Sequence, residues 1–88
     1  MPALRELLNL GPASEAMLHT AGITGVEQLE ELGSIEAYLR VREVRPDASR
    51  NSLYALEGAL LDVRWDLLPK DLRARLAQAA DEAAAGGR

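Results

Sequence analysis

Residues 8–33 leave the chain little choice but short helices in quick succession. Gly11 ends one segment and Pro12 opens the next, with φ already near the helical value and no N–H to leave unpaired. From there Ala16, Met17 and Ala21 fall at helical spacing, and Gly22 supplies the left-handed residue at which helices commonly stop. Ile23 is placed to plug the turn. Thr24 and Glu27 have the spacing of a capping box that opens a second helix, with Val26, Leu29 and Leu32 on one side. Gly33 closes it, and Ser34 is placed to cap a third.

The same reading extends in both directions. Leu4, Leu7 and Leu8 recur at i, i+3 and i+4, the pattern of a short amphipathic helix ending before Gly11 and forming the first arm of a helical hairpin. Residues 35–44 put Ile35, Tyr38 and Leu39 on one face. Pro46 disfavours helix at Arg45, so a loop follows, and Asp47, Ala48 and Ser49 lead into a restart. Residues 51–62 form the most apolar helix, with Leu53, Leu56 and Leu60 in line, and should pack centrally with Leu29, Leu32 and Leu39. Gly58 inside that helix costs about 1 kcal/mol relative to alanine, which predicts a second helix backbone passing close by. Pro69 and Asp71 suit the first turn of a last helix carrying Leu72, Leu76 and Ala80. Alanine then dominates and order should fade near Ala83, which gives one domain over residues 1–88 with a core of about 4–82 and a frayed tail at 83–88. The fold class expected is all-α, a small orthogonal bundle of about five helices with a helix-hairpin-helix-like first half.

An 88-residue chain buries only about 60–65% of its unfolded surface, so it can build one core and depends on efficient helix packing. The chain has no cysteine, hence no disulfide and no thiolate metal site, and a cytoplasmic location is the default. Arg5 and Glu6 interrupt the first apolar stretch, which excludes a signal-peptide core there, and no run reaches the roughly 20 apolar residues of a membrane span. Ten basic residues against fourteen acidic ones give a net charge of −4, which argues against a whole-surface electrostatic grip on nucleic acid. The charge is uneven, however. Residues 1–39 carry one Arg and six Glu, net −5, whereas residues 40–75 carry eight basic and six acidic side chains, net +2. Arg40, Arg42, Arg45 and Arg50 therefore form the one basic patch, flanking the loop at Pro46; it reads either as a solvated helix end or as a phosphate-binding surface.

Catalytic and metal chemistry find little support. His19 is the only histidine and has no cysteine or paired carboxylates at ligand spacing, so no metal and no cofactor is expected. Ser14 and His19, five apart on one helix, point to different faces and do not make a nucleophile–base pair. Glu57 is the single acid in the apolar helix, with a structural role expected, exposed or tied to an arginine or to backbone N–H groups. Trp65 stands without aromatic neighbours and reads as a lid on the core in preference to a stacking platform. No constellation supplies a nucleophile, a base and an oxyanion site together, so the chain does not read as an enzyme.

Leu8-Asn9-Leu10-Gly11-Pro12 with Ser14, Glu15 and Leu18, then Ala21-Gly22-Ile23, Leu29, Leu32-Gly33 and Ala37-Tyr38, and finally Asn51, residues 53–60, Trp65 and Leu68-Pro69, resemble the C-terminal domain of TfoX (Sxy) proteins. The resemblance covers about residues 4–70. It implies a small all-helical bacterial domain, belonging to regulators of natural competence for DNA uptake that act with a cyclic-AMP-responsive transcription factor at promoters. The usual N-terminal domain of that family is not among these 88 residues, so a stand-alone relative and a fragment are both expected possibilities. The hairpin is also similar to helix-hairpin-helix DNA-binding units, in which N–H groups at a helix start hold a phosphate. Asn9 stands where such units carry their first glycine and Ala13 where they carry a basic residue, so the turn can survive while the charge is lost. The candidate DNA-backbone contacts are thus Gly11, Ala13 and Ser14 with Arg40, Arg42, Arg45 and Arg50. The structural candidates are Gly22, Thr24, Glu27, Leu53, Leu56, Glu57, Gly58, Leu60 and Trp65. The expected partners are a transcription factor or another protein, with weak, non-specific DNA binding at most and no membrane. A protein-interaction domain with no nucleic-acid role is the alternative.

Overall fold

The computed structural model describes residues 3–87. Four α-helices, α1 Pro12–Thr20, α2 Val26–Val44, α3 Arg50–Leu61 and α4 Lys70–Gly87, are joined with two single 3-10 turns, Leu4–Glu6 and Trp65–Leu67. Among the described residues there is no strand, in keeping with the all-α expectation. The count of about five helices is corrected to four, for two reasons. The leucines of residues 4–8 make one 3-10 turn and no first helical arm, because Leu7 is already extended (φ −73°, ψ 147°). Residues 26–44 count as one element, α2, but they are two helical segments that meet at Gly33, whose backbone (φ 78°, ψ 169°) is non-helical, so the helix end expected at Gly33 is present within it. With one arm reduced to a turn, the helix-hairpin-helix expected for the first half is not formed around Gly11.

α2 is the organising element and packs against α1, α3 and α4, while α3 also lies against α4 and the second 3-10 turn. The core is continuous: Leu4, Leu10, Leu18, Ile23, Leu29, Leu39, Leu53 and Leu56 are buried together, with Leu32 and Leu60 packed against them as partly buried neighbours. Burying a leucine of this kind contributes about 1.5–3 kcal/mol, and several such residues come from each of the central helices. In α1 the anchor is Leu18, whereas Ala16 is exposed.

The α1 stop follows from its sequence. Gly22 sits at φ 85°, its N–H donates to the His19 carbonyl and the Ile23 N–H donates to the Leu18 carbonyl, both at 2.9 Å. This is a Schellman motif, with Leu18 and Ile23, both fully buried, forming its hydrophobic contact. The start of α2 differs from the capping box of Thr24 and Glu27. Gly25 is the N-cap, so Glu27 falls one place too early for the reciprocal bond. Gln28 does that work: its Oε1 accepts the Thr24 N–H and its Nε2 donates to the Gly22 carbonyl, each at 3.0 Å. Ser49 is the N-cap of α3 but contributes only its carbonyl, which accepts the Ser52 N–H. α4 stays helical to Gly87, past the fading expected near Ala83, although residues 81–86 are exposed and add nothing to the core. Arg88 of the expected tail lies outside the described residues.

Candidate functional site

A cavity of about 270 Å³ lies between the first turns of α1 and α3. Its apolar lining includes Leu10, Met17 and Leu56, and its polar lining is Asn9, Ser14, Asn51 and Ser52, with Trp65 at one wall. No lining residue titrates near neutral pH, so the cavity can hold an apolar or hydrogen-bonding group but offers no acid or base. Among the described residues no group of three or more His, Cys, Asp or Glu could hold a metal ion.

Asn9 builds the wall of this cavity. It adopts φ 72°, the left-handed conformation that asparagine tolerates, and so turns the chain between the first 3-10 turn and α1. Its side chain reaches across the fold: Nδ2 donates to the Val63 carbonyl at 2.9 Å and lies 3.4 Å from the Ala55 carbonyl, and Oδ1 accepts the Trp65 N–H at 3.0 Å. Gly58 makes room for this clamp. A Cβ on Gly58 would collide with Asn9 Nδ2 and the Val63 carbonyl, and would come into contact with the Trp65 backbone nitrogen at 3.4 Å. The close approach expected at Gly58 is therefore present, but it comes from a side chain and a loop, not from another helix. Trp65 is held by its backbone and its ring remains at the cavity edge, partly in solvent, so it is not a closed lid on the core.

Glu57 is tied to neither an arginine nor a backbone N–H. The hydroxyl of buried Ser34 donates to its Oε1 at 2.7 Å, across the Gly33 break in α2. Ser34 therefore fastens α2 to α3 where a helix cap was expected.

The structure distributes the four arginines along the end of α2 and the start of α3 and gives most of them acidic partners. Arg40 pairs with Glu36 at 3.1 Å, Arg45 with Asp47 at 3.8 Å, and Arg50 with Asp81 of α4 at 2.7 Å. Arg42 stacks over Tyr38, 5.8 Å from the ring centroid, and its Nη2 donates to the Pro46 carbonyl at 3.4 Å. At the start of α1, Gly11 is an extended N-cap, Ala13 is exposed and Ser14 faces the cavity. Glu15 lies in the same turn and its Oε2 accepts the Arg5 N–H at 3.3 Å, which places a carboxylate beside the helix start. The Asn9 clamp is the feature that sequence reasoning missed; its left-handed turn was legible, its partners were not.

These features define a small all-helical domain whose N-terminal turn is latched onto α3 beside an interhelical cavity. The chain belongs to the TfoX C-terminal domain family, which it matches over residues 1–80. It is 35% identical over 78 residues to Protein Sxy of Escherichia coli K12, an alignment covering 89% of this chain and 37% of that protein. The chain therefore spans little more than a third of the curated relative's length. Two solved structures from Listeria monocytogenes share the fold. The triclinic form of an uncharacterised protein has a TM-score of 0.85 at 35% identity, covering 97% of this chain and 96% of the other. The tetragonal form of a protein of unknown function has a TM-score of 0.81 at 37% identity, covering 90% and 96%.

Proposed function

We propose that this domain is a non-enzymatic regulatory module of natural competence and DNA transformation, acting through a DNA-bound protein partner, with weak DNA contact at most. Its membership of the TfoX C-terminal domain family carries the competence assignment. The preference for a protein partner rests on the arginines: Arg40, Arg45 and Arg50 already face acidic side chains of the same chain, and the net charge is −4. A phosphate would have to displace those carboxylates, and at the start of α1 it would meet Glu15. The cavity between α1 and α3, with a lining that lacks acid or base, suits a binding role and not catalysis.

Titrating the purified domain into a labelled duplex at two salt concentrations tests this reading. Binding no tighter than about 10 μM at physiological salt, without sequence preference, is the expected result. Sub-micromolar, sequence-selective binding overturns the partner-dependent reading. The absence of binding even at about 20 mM salt, where the screening length is roughly 20 Å, moves the function to a protein-interaction domain with no nucleic-acid role.

A further inference from the structure

We propose that the α1–α3 cavity is a site for a small uncharged aromatic molecule whose ring carries an amide-like edge, one that both donates and accepts a hydrogen bond. Size sets the first limit. At about 270 Å³ the cavity lies just under the range of roughly 300–1,000 Å³ usual for ligand sites, so it takes one ring or a fused pair with a single substituent. Its apolar lining comes from Leu10, Met17 and Leu56, and Trp65 adds a flat aromatic wall at the edge. A flat ring suits both, since it can stack on the indole and meet the polarizable Met17 thioether.

The polar lining selects the rest of the ligand. Asn9 has its amide engaged by the Val63 carbonyl and the Trp65 N–H, but Ser14, Asn51 and Ser52 make no side-chain hydrogen bond among the described residues. Ser14 and Ser52 are half-buried, while Asn51 is exposed in the first turn of α3. A purely apolar guest would strip water from these groups without replacing their hydrogen bonds. A charged guest fares no better. No charged residue lines the cavity, and the charged residues next to it in sequence are engaged elsewhere: Arg50 with Asp81, Arg64 with Asp66, and Glu15 with the Arg5 N–H. Hydroxyls and a primary amide each donate and accept, so their complement is a group that does the same without charge, as an amide does. Neither DNA nor a protein partner enters this chemistry, so the site stands or falls separately from the regulatory role.

Benzamide, benzoate and benzamidinium share a ring and a trigonal head group and differ in charge, while toluene lacks the hydrogen-bonding head. Titrating each into the 88-residue chain tests the proposal by two-dimensional N–H NMR, read at the indole of Trp65, the chain's only tryptophan, and at the backbone of Ser14, Asn51 and Ser52. Benzamide should shift these signals with a dissociation constant of about 1 mM, in keeping with so small a probe, and the other three should bind about tenfold more weakly. Asn51→Asp then sets a carboxylate beside the cavity in a variant that keeps its fold, because the position is exposed and an acid in the first turn of a helix is favourable. It should strengthen benzamidinium binding about fivefold and weaken benzoate further. The site is overturned if these signals stay still at about 10 mM benzamide, or if toluene or a charged probe binds as well as benzamide. Benzamidinium binding that is unchanged in Asn51→Asp overturns it too, by placing the probe elsewhere.

Discussion

Asn9 and Gly58 are two halves of one device: an amide that needs three backbone partners and a position with no side chain to obstruct it. Replacing Asn9 with alanine leaves the part-buried Val63 carbonyl and the more exposed Trp65 N–H without their partner. The expected loss is about 1–3 kcal/mol in urea unfolding, with a further penalty from the left-handed turn, and a change below 0.5 kcal/mol would show that water replaces the amide freely. Gly58→Ala should be destabilising despite its gain in helix propensity, because the new methyl meets Asn9 and the Val63 carbonyl, which cannot both retreat. A raised thermal midpoint for Gly58→Ala would contradict that account. At Leu56, fully in the core, truncation to alanine should cost about 2–5 kcal/mol.

Among the elements, α2 is distinctive because Gly33 divides it into two helical segments. The backbone there combines φ 78° with ψ 169°, a region open essentially to glycine alone. Space is not limiting, as no atom lies within 4 Å of where a Cβ would stand. Gly33→Ala is therefore expected to destabilise the domain by about 1–3 kcal/mol through conformation alone. Comparing thermal midpoints of Gly33→Ala and a control Gly25→Ala, at a position with extended backbone and open surroundings, would check it. The break places Ser34 where its hydroxyl can reach Glu57, so a local backbone requirement fixes how α2 and α3 are pinned. At the other end of the chain, α4 continues as a helix, but residues 81–86 are all exposed. Removing residues 83–88 should accordingly change unfolding stability by less than about 1 kcal/mol.

At the scale of the whole molecule, the uneven charge seen along the sequence is largely settled internally. Arg50 reaches Asp81 on another helix, while Arg40 and Arg45 find acids within four residues. These exposed pairs contribute about 0–1 kcal/mol each to stability; their larger effect is to lower the positive potential available to a phosphate backbone. If the domain does touch DNA, few phosphates are neutralised. The slope of log affinity against log salt should then be no steeper than about −3 to −4, a value measurable by repeating the duplex titration over several salt concentrations.

Local information determined most of the elements and their ends. Gly22 demanded a left-handed stop after α1, Pro46 a loop after α2, and the leucine spacing of residues 53–60 a central helix; each depends on backbone sterics or on a period read within a few residues. The family, too, was legible from the order of those motifs. What only the tertiary structure decided is where single polar side chains went. Asn9 bonds to residues 54 and 56 positions further on, and Ser34 to one 23 positions further on. Those bonds exist because packing brings the N-terminal turn against the segment after α3, and α2 against α3, so that distant backbone and side-chain groups meet within about 3 Å, and no local propensity encodes such a meeting. For the same reason a short leucine pattern at residues 4–8 looked like a helix and folded as one turn: its leucines gain more from the core that Leu4 enters than so short a helix could supply alone.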